Sequence, residues 1–115
     1  MKSKILALSK NEEFKNLLQQ KKISNKYVTV FFGNLPNKDS KNLNISFVTK
    51  KKIGNAVKRN KIRRKLKAIV QKLLKKRGAI SKDYTYIVFG KSNAYMQKQS
   101  VLMSLMEKNF NKIKN

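Results

Sequence analysis

Apolar positions along the chain recur with two different periods, and the switch between them marks out the elements. From Asn11 onward, Phe14, Leu17 and Leu18 fall at i, i+3 and i+4, one face of a helix. Glu12 and Glu13 suit the positive end of that helix, and Asn11 can cap it. Lys21 to Lys26 read as a polar connection. Tyr27 to Phe32 is β-branched and aromatic throughout, a strand with Tyr27, Thr29 and Phe31 on one face and Val28, Val30 and Phe32 on the other. Gly33 to Asp39 carries turn chemistry, and a second strand follows over residues 43–49. The short polar spacer predicts that these two strands pair antiparallel as a hairpin.

Gly54-Asn55 punctuates the chain before its longest periodic segment. Between Ala56 and Lys76, Ile62, Leu66, Ile69, Val70, Leu73 and Leu74 return at helical spacing, with Gly78 just past the end. Tyr84 to Phe89 is a further strand closed by Gly90, and Leu102, Leu105, Met106, Phe110 and Ile113 form the apolar face of a last helix that can pack on the sheet. This order predicts an α+β fold: one α/β sandwich domain over residues 1–115, in which a long basic helix and flanking helices cover a small mixed sheet. Residues 1–10 read as a flexible basic arm.

Charge then narrows the function. Twenty-nine basic residues stand against five acidic ones, a formal charge of +24 in 115 residues. Such a charge repels itself in the compact state unless a polyanion neutralises it, and nucleic acid is the leading candidate. No helix combines a basic face with the broad apolar face a membrane surface requires, and no run approaches the length of a span, so no membrane partner and a cytoplasmic location are expected. Cysteine and histidine are both absent, which removes disulfides, thiolate metal sites and the commonest general base. The five carboxylates are scattered, and lone ones such as Asp39 and Asp83 are far more often turn caps than ion ligands. No catalytic constellation is visible, and no cofactor or metal bound by the protein is expected.

The cations are not uniform. Three of the four arginines, Arg59, Arg63 and Arg64, fall within six residues, while 25 lysines supply the rest. Guanidinium grips a phosphate with a planar fork of donors, whereas ammonium is a mobile point charge. On the central helix Asn60, Arg63, Arg64 and Lys67 lie at i, i+3, i+4 and i+7, a stripe about 10 Å long beside the apolar one. Lys58, Lys61 and Lys65 project at other angles. Asn60 can meet a base edge or 2′-hydroxyl, or it can bond the adjacent loop. Lys50, Lys51 and Lys52 run into the helix start, where orphan N–H groups favour anions, although the glycine spacing of a P-loop is absent. Phe14, Tyr27, Phe31, Phe32, Tyr84, Tyr86 and Phe89 are available for base stacking, yet most of them must fill the core.

The run Lys51-Lys52-Ile53-Gly54-Asn55-Ala56-Val57-Lys58-Arg59-Asn60-Lys61-Ile62-Arg63-Arg64 resembles the signature of the bacterial ribonuclease P protein subunit. Looser agreement extends to Asn11-Glu12-Glu13-Phe14, Asn25-Lys26 and Asp83-Tyr84. The resemblance implies a partner of a large catalytic RNA that removes the 5′ leader of precursor tRNA, with Mg²⁺ held mainly by the RNA and no catalytic side chain on the protein. It implies RNA-binding roles for Lys51, Lys52, Arg59, Asn60, Arg63, Arg64 and Lys67, and a leader-binding cleft at Phe14, Leu18 and Phe31. It also implies a left-handed crossover between parallel strands, against the general preference. Leu18 departs from the aromatic often found there, and Phe31 from a common tyrosine. A small ribosomal-type RNA-binding protein shares the charge, size and plan, and the fourteen-residue run separates the two. A DNA-binding helix-turn-helix protein needs a helix pair joined by a short turn. Here a strand precedes the basic helix, so no DNA partner is expected.

Overall fold

A computed structural model describes residues 5–8, 11–34, 42–76 and 78–114. Its elements, in chain order, are β1 (Ile5–Leu6), α1 (Asn11–Leu18), β2 (Lys21–Ser24), β3 (Val28–Gly33), β4 (Leu43–Val48), a 3-10 turn (Lys51–Ile53), α2 (Ala56–Leu74), β5 (Thr85–Gly90), a second 3-10 turn (Ser92–Ala94) and α3 (Gln99–Lys114). The sheet is five-stranded and mixed, in the order β1-β4-β5-β3-β2. The α+β sandwich expected from the pattern is the one observed.

The predicted hairpin between β3 and β4 does not form. Every residue of β5 but Phe89 is buried, so the strand takes the central place, antiparallel to β3 and parallel to β4. β3 and β4 then lie roughly 10 Å apart, two strand spacings, with β5 between them. The turn expected at residues 35–39, Asp39 included, lies outside the described residues. Parallel pairing of β4 with β5 demands a crossover, and α2 supplies it.

Three other places also differ from the sequence reading. Lys21–Ser24 is a strand and not a connection, paired antiparallel with β3. Its exposed lysines protect a sheet edge. Asn25 Oδ1 turns the chain between β2 and β3 by accepting from the N–H groups of Tyr27 at 2.7 Å and Val28 at 2.9 Å. Tyr27 therefore precedes the strand and leaves its alternation; its hydroxyl accepts from Gln97 Nε2 at 2.7 Å. Within the stretch read as an arm, Ile5–Leu6 pairs parallel with Leu43–Asn44, and the Leu8 N–H donates to Ser46 Oγ at 2.8 Å.

Alternation along the strands builds two unequal faces. Val28, Val30, Leu43, Ile45, Tyr86 and Val88 join Ile62, Leu66, Ile69 and Leu73 of α2 and Leu102, Met106 and Phe110 of α3 in the main core. Each such side chain contributes about 1.5–3 kcal/mol when fully buried. Gly90 lets α2 settle onto this face: a Cβ there would stand 2.5 Å from Ile62 Cγ2 and 3.0 Å from Leu66 Cδ1. Among the described residues the opposite face is covered by α1, through Leu17 on Ile87, and by Leu8, with Phe14, Phe31, Val48 and Phe89 half-buried around them. That thin cover leaves ground open for a ligand.

Candidate nucleic-acid interface

α2 begins where Asn55 caps it, its side-chain oxygen accepting from the Lys58 N–H at 2.9 Å. Burial of Ile62, Leu66, Ile69, Val70 and Leu73 fixes the helix rotation, so its two flanks are set by the core. On the flank toward β4, Arg63 donates from Nη2 to Asn60 Oδ1 and from Nη1 to Thr49 Oγ1 at 3.4 Å. Asn60 thus braces Arg63 and not the neighbouring loop. Arg63, Arg64 and Lys67 line a groove of about 420 Å³ with Phe14, Phe47, Val48 and Ser46, along the stretch of β4 that β1 leaves unpaired. Three cations beside an open strand edge and two aromatic rings suit a phosphate backbone that carries unpaired bases.

The opposite flank of the same helix is engaged. Lys65 Nζ donates to the carbonyls of Ala94 and Tyr95, each at 3.1 Å, and to that of Gln97. Burial, and then neighbouring Lys61, hold its pKa below the ordinary 10.5. The ammoniums of Lys58 and Lys61 lie 5.3 and 5.0 Å from the Tyr95 ring centroid, and Lys58 also donates to Ser92 Oγ at 3.1 Å. These lysines fasten the segment after β5 to the helix.

A second groove, of about 490 Å³, lies on the α1 side of the sheet. Phe31 and Phe89 form its floor, their ring centroids 5.5 Å apart and inclined by 71°. Lys22, Lys50, Lys52 and Lys91 stand around it, with Thr29, Ile53 and Ser92 completing the wall. Lys22 Nζ lies 5.8 Å from the Phe31 centroid. Lys91 is committed elsewhere, donating to Ser24 Oγ at 2.9 Å and to the Asn25 carbonyl at 2.7 Å.

A family model described as Ribonuclease P matches residues 3–114. This chain belongs to the ribonuclease P protein family. The ribonuclease P protein component of Mycoplasma capricolum subsp. capricolum is 30% identical over 107 residues, 93% of this chain and 94% of that protein. The component from Carboxydothermus hydrogenoformans is 43% identical over 68 residues, 57% of this chain and 57% of its own length. Among solved structures, the Staphylococcus aureus RNase P protein matches with a TM-score of 0.76 at 24% identity, covering 96% of this chain and 97% of that one. The Thermotoga maritima RNase P protein matches at 0.69 with 20% identity, covering 91% and 96%. Likeness at such identities speaks for the fold. Membership makes the chain a protein component of the ribonucleoprotein endoribonuclease, with RNA as its partner. No helix among the described residues is long and apolar enough to cross a membrane.

Against the ribonuclease P assignments made from sequence, Arg63, Arg64 and Lys67 come together, with Asn60 behind them. Arg59 does not join them: it is half-buried, lines neither groove, and its Nε has no hydrogen-bond partner. Lys52 lines the groove over Phe31, while Lys51 is exposed beside it in the 3-10 turn. The trio Phe14, Leu18 and Phe31 is divided. Phe31 floors one groove, Phe14 lines the other, and Leu18, 36% exposed, lines neither. Phe89, one of the seven aromatics available for stacking, is a groove residue, and Lys22 is one that the sequence reading does not single out. Phe89 shares the face of Ile87 by alternation, and Lys22 sits directly opposite Phe31 once β2 is recognised as a strand. Among the described residues no three of Asp, Glu, His or Cys gather where they could hold a metal ion.

Proposed function

We propose that this chain is the protein subunit that binds the catalytic RNA of ribonuclease P through the arginine flank of α2 and takes the 5′ leader of precursor tRNA into the groove over Phe31. It thereby assists endonucleolytic removal of the leader and leaves the mature tRNA 5′ end. One observation supports the reading: two separate cation-lined grooves with aromatic walls, one along the β4 edge beside α2 and one over Phe31 and Phe89 on the α1 side of the sheet, so two RNA segments can be held together. In this scheme Arg63 and Arg64 grip phosphates of the folded RNA, with Lys67 adding charge. Phe31 stacks on an unpaired base while Lys50 and Lys52 meet leader phosphates. Phe14 adds a ring to the arginine groove and Lys51 adds charge beside the leader groove, whereas Arg59 and Leu18 line neither. The hydrolytic step and its Mg²⁺ belong to the RNA, and the protein acts as one domain in the cytoplasm. The ribosomal-type alternative is not favoured, because the family match runs over nearly the whole chain.

Cleavage of precursor tRNA by the reconstituted ribonucleoprotein tests this. Phe31→Ala is expected to weaken leader-bearing substrate by about 1–2 kcal/mol, roughly 5- to 30-fold, and mature tRNA far less. Equal losses on both would reject the groove as the leader site. The protein without RNA should leave precursor tRNA uncut, and activity in an RNA-free preparation would overturn the division of labour.

A further inference from the structure

The leader groove contains a second ring for which the single contact at Phe31 has no use. Phe89 pairs with Thr29 across β3 and β5, two residue pairs along from Phe31 on the same face, and is only half-buried. The two rings meet edge to face, inclined by 71°, so each turns a face in its own direction. The polar lining is largely committed. Thr29 Oγ1 lies 2.9 Å from Ser24 Oγ, Ser92 Oγ accepts from Lys58 Nζ, and Lys91 is held by the β2–β3 turn. What the groove offers a ligand is therefore two ring faces and the ammoniums of Lys22, Lys50 and Lys52. Positive charge around aromatic faces, with few free groups for reading base edges, is the chemistry of unpaired RNA held by stacking.

We infer that Phe89 is a second stacking platform, so that the groove seats two successive leader nucleotides, one base on Phe31 and the next on Phe89. This rests on the reading of the groove as the leader site. The inclination of the rings forbids the two bases from remaining stacked on each other, so the leader backbone bends between them. Lys50 and Lys52, which line the same groove, neutralise the phosphates around that bend.

The test walks a single abasic nucleotide along the leader of precursor tRNA and measures affinity for the reconstituted ribonucleoprotein. The native protein should show two adjacent sensitive positions, each losing about fivefold or more, the lower end of one base–aromatic stack. Phe89→Leu keeps most of the side-chain volume and removes the ring. It should abolish sensitivity at one position and spare the other, and Phe31→Leu should do the reverse. If Phe89→Leu leaves both positions sensitive, or weakens every leader equally while lowering the melting temperature, Phe89 is packing only and the inference fails. If no position is sensitive and Phe31→Leu is also silent, the leader reading itself fails, and this inference with it.

Discussion

The two flanks of α2 carry similar charge and opposite commitments. Toward β4, Arg64 and Lys67 are exposed, and among the described residues Arg63 is steadied by Asn60 and Thr49, so these donors face a groove. Toward α3, the ammonium of Lys65 is taken up by three backbone carbonyls, and Lys58 and Lys61 lie over Tyr95. A cation whose donors are already satisfied holds the fold. One whose donors remain free can replace counterions on a phosphate. Charge counted along a helix does not separate the two; the location of acceptors does.

The comparison can be broken from either side. Arg63→Ala with Arg64→Ala should produce the largest change, a loss in affinity for the RNA subunit on the order of 10- to 100-fold at physiological salt, since charge-assisted bonds contribute about 1.5–3 kcal/mol each and partly overlap. Equilibrium titration measures it, and urea unfolding should show little change in stability. Gly90→Ala acts on both flanks together. Its Cβ would collide with Ile62 and Leu66 and lift the helix, costing about 1–3 kcal/mol of stability by overpacking, with RNA affinity falling in parallel. Lys65→Met keeps the aliphatic stem but deprives the carbonyls of Ala94, Tyr95 and Gln97 of their shared donor. It should cost about 1–2 kcal/mol in urea unfolding and leave RNA affinity within about threefold. Lys58→Ala should be mildest, about 0.5–1 kcal/mol of stability for an exposed cation–π contact and the hydrogen bond to Ser92 Oγ.

Particular residues show what the sequence could and could not say. The helical stripe from Ile62 to Leu73 forecast both the existence of α2 and its buried face, and the flanking stripe of Asn60, Arg63, Arg64 and Lys67 followed from the same geometry. Strand order did not follow. Whether β3 turns back onto β4 or makes room for β5 depends on which strand best fills the centre, a competition among segments far apart in the chain. β2 was obscured because an edge strand rich in lysine looks like a polar loop until its partner is known. The division of Phe14 from Phe31 was equally hidden, since it depends on where α1 crosses the sheet. Arg59 looked like a member of the arginine cluster, yet helical geometry turns it toward the buried side, beside Ile62.

The salt dependence of RNA-subunit binding tests the contrast between the flanks most directly. Each phosphate neutralised contributes about 0.7–0.9 to the slope of log K against log salt. Replacing Arg63 and Arg64 together should therefore reduce that slope by roughly 1.4–1.8, while replacing Lys58 and Lys65 together should leave it unchanged. Equal reductions from the two pairs, or a reduction only from the lysines, would contradict the account.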